Sequence, residues 1–160
     1  MSYAIDLSPR QSARTLEQAF RHRATVLIEP RCWNGETFAG RLTAPEVPPG
    51  VKAHSIIVVL EPAEGYDPQA YAAQCPGYER LKTLVTSYCD AVIQLGDNRY
   101  LFSSDVIRVE RGAQGQPVRL HLSRPETLQV AQRRRFWRFR PARSSQVELR
   151  WARQDGTAGG

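Results

Sequence analysis

The densest chemistry in the 160-residue chain lies in one run, Gln132-Arg133-Arg134-Arg135-Phe136-Trp137-Arg138-Phe139-Arg140. Arg134 and Arg138 stand four residues apart. An extended chain puts both on one side, and a helical turn makes them neighbours, so they converge under either geometry. A guanidinium fork pairs bidentately with a phosphate, or with the O6 and N7 edge of guanine. Its flat face also stacks on rings. Phe136 and Trp137, between the arginines, supply surface for packing on the protein or on a base. A guanine nucleotide with phosphates satisfies all of these groups together. Composition alone gives a plainer alternative, a solvated basic linker. Dense arginine beside two aromatics also fits sequence-independent nucleic-acid binding.

The charge of the whole chain sharpens this reading. The net charge is +6, and all of the excess sits in residues 131–160, where eight arginines face only Glu148 and Asp155. The first 130 residues balance fourteen bases against fourteen acids. Such an asymmetry points to a local anion site rather than to diffuse polyanion binding.

Apolar residues at 41% and charged residues at 24% describe an ordinary globular composition. The longest apolar run, Ile56 to Leu60, falls far short of the ~18 residues of a membrane helix. Met-Ser-Tyr-Ala-Ile-Asp at the start has an early acid and no apolar stretch, unlike a secretory signal. Cys32, Cys75 and Cys89 form no CxxC pair, which argues for a reducing compartment and against a disulfide scaffold or zinc site. A cytoplasmic location is the expectation.

The elements that would carry the arginines are mostly strands. Ser8-Pro9-Arg10-Gln11 has a capping serine, a proline at the first helical position and the Gln of a capping box, predicting a helix over 9–22. Strands are then predicted at 24–30, 36–44, 55–60, 85–95, 100–110 and 118–122. Ser55 to Leu60 is apolar on both phases, as in a strand buried on both faces. Residues 62–80 read as an irregular excursion with a short helix near 68–74. Residues 127–140 read as a connector, and Val147 to Trp151 as one further strand. Short turns between successive strands mean antiparallel pairing, and closure into a small barrel removes exposed edges.

Other candidate residues give structural readings. His22, His54 and His121 lack metal-ligand spacing. Cys89 falls on the apolar phase of its strand, and Cys32 beside Trp33 is expected to be packed. Ser103-Ser104-Asp105 has no elbow glycines and no histidine placed near it. Trp33, Tyr66, Tyr71 and Tyr78 are expected in the core rather than around a pocket. No GxGxxG or GxxxxGK[ST] occurs.

The stretch from Asn98 to Ala142, with its Phe-Ser-Ser strand, leucine-rich Arg119 to Ser123 strand, Pro125-Glu126 turn and arginine run, resembles the domain junction of YcgR-like flagellar brake proteins. There an amino-terminal domain meets a PilZ domain. The resemblance is strongest over residues 85–142. It implies a mainly β chain: a six-stranded antiparallel split β-barrel with one amino-terminal helix over 1–125. An Arg-rich linker with the RxxxR motif follows over 126–142, and then the first strand of a second, PilZ-type barrel over 143–160. It implies that Arg134 and Arg138, with Arg133 alongside, grip cyclic di-GMP. The expected function is non-enzymatic signalling, in which the dinucleotide alters domain packing and so controls a protein partner such as the flagellar motor. No cofactor or metal is implied, and nucleic acid is not the expected partner.

The PilZ motif DxSxxG finds only a loose match in Asp155-Gly-Thr-Ala-Gly-Gly160, too soon after Arg138, and Asp-Gly beside a Trp-containing strand reads better as a hairpin turn. The 160 residues are therefore expected to hold half a ligand site and to bind cyclic di-GMP weakly or undetectably alone. Two rival functions remain: nucleic-acid binding by the basic carboxy-terminal segment, and a flavin-binding oxidoreductase on the same barrel shape, although residues 24–123 carry no phosphate-cradling motif.

Overall fold

Ser8 initiates the first helix as its sequence dictates. In the computed structural model, which describes residues 3–132, helix α1 spans Pro9–Arg21. Its box is complete: the Gln11 amide donates to Ser8 Oγ at 3.1 Å, and the Ser8 amide donates to Gln11 Oε1 at 3.0 Å. Leu16 and Ala19 turn inward and join the core. The helix thus carries a polar face outward and a narrow apolar stripe inward.

Eight strands follow the period-2 logic: β1 (Tyr3–Asp6), β2 (Thr25–Pro30), β3 (Phe38–Thr43), β4 (Ser55–Val59), β5 (Tyr88–Leu95), β6 (Asn98–Glu110), β7 (Arg119–Ser123) and β8 (Gln129–Gln132). Their order in the sheet is β1-β8-β6-β5-β2-β3-β4-β7, and β6 also pairs with β7. The six strands predicted from the sequence are β2 to β7, and they form a hydrogen-bonded ring in which every pairing is antiparallel. Leu95 pairs with Asn98 across the two-residue Gly96-Asp97 turn.

Strand β6 makes this arrangement possible through its length of 13 residues. One edge pairs with β5 from Asn98 to Asp105. Its other edge is shared, with Arg99 to Leu101 facing β8 and Val106 to Glu110 facing β7. A register shift between Val106 and Arg108 bends the strand where it passes to β7.

Inward residues of the ring form one buried cluster, including Val26, Ile28, Leu42, Ile93, Leu120 and Leu122. Ile56, Ile57 and Val58 are all buried, so β4 is covered on both faces as its composition predicts. Residues Ala4–Ala131 make one compact unit. Among the described residues, no helix is long and apolar enough to cross a membrane.

The structure corrects several expectations. The sheet has eight strands rather than six. The stretch read wholly as a connector begins with β8, which pairs with β6. Four-residue strands are too short to show alternation. The helices number three among the described residues rather than one: α2 (Pro68–Gln74), at the place expected and capped by Asp67, and α3 (Tyr78–Lys82), which the sequence did not reveal. The strand expected from Val85 starts at Tyr88. Residues Thr83 to Ser87 instead turn, with Thr86 at φ 73°, and the Thr86 amide donates to the Val106 carbonyl. Val85 shares the strand phase by coincidence, because Leu81 and Leu84 anchor this turn in the core.

Candidate functional site

The arginine run leaves the described unit through β8, so the position of β8 determines where that run begins. Leu128 holds the strand: its side chain is fully buried, and its amide donates to the hydroxyl of Ser12 on α1 at 2.8 Å. The Leu7 amide donates to the Leu128 carbonyl at 2.9 Å, and Gln129 Nε2 donates to Asp6 Oδ1 at 2.9 Å. Register with β6 places Ala131 opposite Arg99 and Val130 opposite Tyr100. Gln132 is the last residue of the strand. Arg133, Arg134 and Arg138, the predicted ligand contacts, lie outside the described residues, as does the Val147 to Trp151 strand.

Two polar clusters lie elsewhere on the sheet. Arg31 grips Asp90 with both arms of its fork, Nε to Oδ2 at 3.2 Å and Nη2 to Oδ1 at 2.8 Å, and Ser103 Oγ donates to Asp90 Oδ1 at 2.6 Å. The Arg31 hydrogen bond, then that of Ser103, holds the Asp90 carboxyl below its ordinary value. Half of each side chain is exposed, so the pair is a surface clasp that joins the end of β2 to β5 and β6. On the neighbouring face, His121 Nε2 lies 2.9 Å from Glu110 Oε1 and 3.3 Å from Arg108 Nη2. The hydrogen bond from His121 lowers the Glu110 carboxyl. His121 is nearly buried, and its role is to tie β7 to β6.

The remaining candidates separate along the same lines. Ser104 Oγ donates to the Ser123 carbonyl at 2.7 Å, so Ser103 and Ser104 are both engaged structurally and no histidine meets them. Cys89 is fully buried as expected, and burial pushes its thiol up to about 12. Cys32 corrects its expectation, because it sits exposed on the single 3-10 turn Arg31–Trp33. Its neighbour Trp33 does pack on the core, as does Tyr78. Tyr66 and Tyr71 do not. With Leu27, Phe38 and Cys75 they line a cleft of about 200 Å³. Tyr71 closes one side by donating to the Ala39 carbonyl at 2.5 Å, and its burial raises its hydroxyl pKa. Among the described residues, no group of three His, Cys, Asp or Glu side chains is placed to hold a metal.

The same fold occurs in solved structures. MrkH of K. pneumonia, in complex with c-di-GMP, matches with a TM-score of 0.55 and 16% identity, over 83% of this chain and 47% of that one. A second structure of MrkH, described as a c-di-GMP-dependent transcription regulatory factor, matches with a TM-score of 0.51 and 16% identity, over 82% and 43%. YcgR of Escherichia coli with c-di-GMP matches with a TM-score of 0.46 and 13% identity, over 80% and 46%. The chain spans less than half the length of these proteins. No family model and no curated protein sequence matches it. At such identities the likeness is one of fold.

Proposed function

We propose that the chain is part of a cyclic di-GMP-responsive regulator. In this reading the ring of β2 to β7 is a split barrel, the domain assigned to residues 1–125 is extended by β8, the linker ends near residue 142, and a PilZ domain begins at residue 143. Arg134 and Arg138, supported by Arg133, pair with the phosphates and guanine edges of the dinucleotide through charge-assisted, bidentate hydrogen bonds. The ligand shifts the packing of the two domains only to the extent that it binds one arrangement more tightly. That shift would control a protein partner, such as the flagellar motor, in a soluble cytoplasmic setting and without catalysis.

One observation carries this reading: the RxxxR motif starts two residues along the sequence from a strand anchored to both α1 and β6, in a fold shared with a protein solved bound to c-di-GMP. Calorimetric titration of the 160-residue chain with cyclic di-GMP, with GTP as the competitor, tests it. A weak, saturable response selective for the cyclic dinucleotide is expected, reduced about tenfold or more in Arg134→Ala/Arg138→Ala. An equal response from the variant overturns the assignment of the site. Sub-micromolar binding by these residues alone overturns the half-site reading.

A further inference from the structure

Five arginines on the described surface are paired with carboxylates, and four of those that are not lie together. Arg23, Arg31, Arg80, Arg108 and Arg111 each meet a carboxylate. Arg10, Arg14 and Arg21 on α1, and Arg124 after β7, form no ion pair among the described residues. These four line one open groove of about 760 Å³ between α1 and the proline-rich β3–β4 loop, where a single carboxylate, Glu17, accompanies them. Arg10 and Arg14 are four apart on the helix, a like-charge spacing that is unfavourable without a counter-charge. An adjoining pocket adds Lys52 and His54, with Glu126. From Arg10 to Arg21 the helix extends for about 16 Å.

The groove is not purely polar. Val47, exposed at 42%, forms part of its wall, and Phe20 lies in its floor. Arg124 lies over Phe20 with its guanidinium 5.9 Å from the ring centre, and Phe20 also packs against the core, so a base would compete with Arg124 for that ring. A phosphate backbone would leave Val47 unused. A peptide that alternates carboxylates with apolar side chains complements both the arginines and Val47.

We propose that the groove between α1 and the β3–β4 loop docks an acidic, amphipathic segment of a partner protein. The proposal stands apart from the dinucleotide reading, because none of its residues belongs to the RxxxR run.

The test is fluorescence anisotropy with a labelled twelve-residue peptide of alternating Glu and Leu, its Gln-for-Glu counterpart, and a twelve-base-pair DNA duplex. The acidic peptide is expected to bind and the Gln peptide to bind at least about tenfold more weakly. Arg14→Glu and Val47→Asp, both at exposed positions and checked for fold by circular dichroism, should each weaken binding by about tenfold. Arg99→Glu makes the same charge change on β6 and should leave it within about twofold. The proposal is overturned if the acidic peptide does not bind or if Arg99→Glu weakens it as much as Arg14→Glu. It is equally overturned if the duplex binds as tightly with indifference to Val47→Asp, since the groove would then be a polyanion site.

Discussion

The hydroxyl of Ser12 accepts the backbone N–H of Leu128 at 2.8 Å, joining residues 116 positions apart in the sequence. Both residues are fully buried, so no water competes for the bond. It fastens the start of β8 to the first helix, and it therefore orients the strand from which the arginine run departs.

Replacing Ser12 with alanine strands that amide without an acceptor. A buried, unsatisfied donor costs about 1–3 kcal/mol. Chemical denaturation should show a loss in this range, and the Leu128 amide should exchange faster with deuterium. Unchanged exchange at Leu128 would mean that β8 is held by β6 and β1 alone.

Gly40, on β3, has no room for a side chain. A Cβ there would lie 2.6 Å from Val58 Cγ1 and 2.7 Å from the Val59 carbonyl oxygen. One of these contacts is backbone, so the clash cannot be relieved by rotating a side chain. Gly40→Ala should cost about 1–3 kcal/mol by overpacking. A melting temperature equal to that of the parent would contradict this contact.

The Arg31–Asp90 clasp predicts a pH effect of definite sign. Asp90 is held ionised in the folded protein, first by Arg31 and then by Ser103. A depressed carboxyl stabilises the fold above its unfolded value, and that contribution is lost as pH falls through the folded value. The group is half-exposed and screened, which limits the contribution to about 0.5 kcal/mol. Stability measured from about pH 5 to about pH 2 should fall more steeply in the parent than in Asp90→Asn by this amount. Parallel curves would remove the clasp from the stability of the fold.

The three thiols should react in an order set by burial. Cys32 is exposed and should label readily at neutral to mildly alkaline pH. Burial raises the Cys75 thiol, and Cys89, pushed up to about 12, should label only after unfolding. Mass spectrometry of the native protein after a brief treatment with a thiol reagent checks the order. Early modification of Cys89 would show that the ring opens near β5.

Much of the framework was legible from neighbouring residues alone. Ser8 with Gln11 announced α1, the short helix expected near 68–74 is α2, and strand patterning located the six strands that form the ring. These features succeed because caps, tight turns and periodic burial are set within a few residues. The arginine run was equally plain as composition, and it lies outside the described residues.

The parts that escaped the sequence depend on partners remote along the chain. β1 and β8 have four residues each, and β8 is a strand because β6 extends far enough to pair with it. Ser12 appears in the sequence as a polar helix residue and proves to be buried, since Leu128 supplies the bond that offsets its desolvation. Arg124 joins Arg10, Arg14 and Arg21 only after the chain has crossed six strands. Residue order dictates local conformation, but which groups share a groove or lose their water depends on long-range packing, and no local period records it.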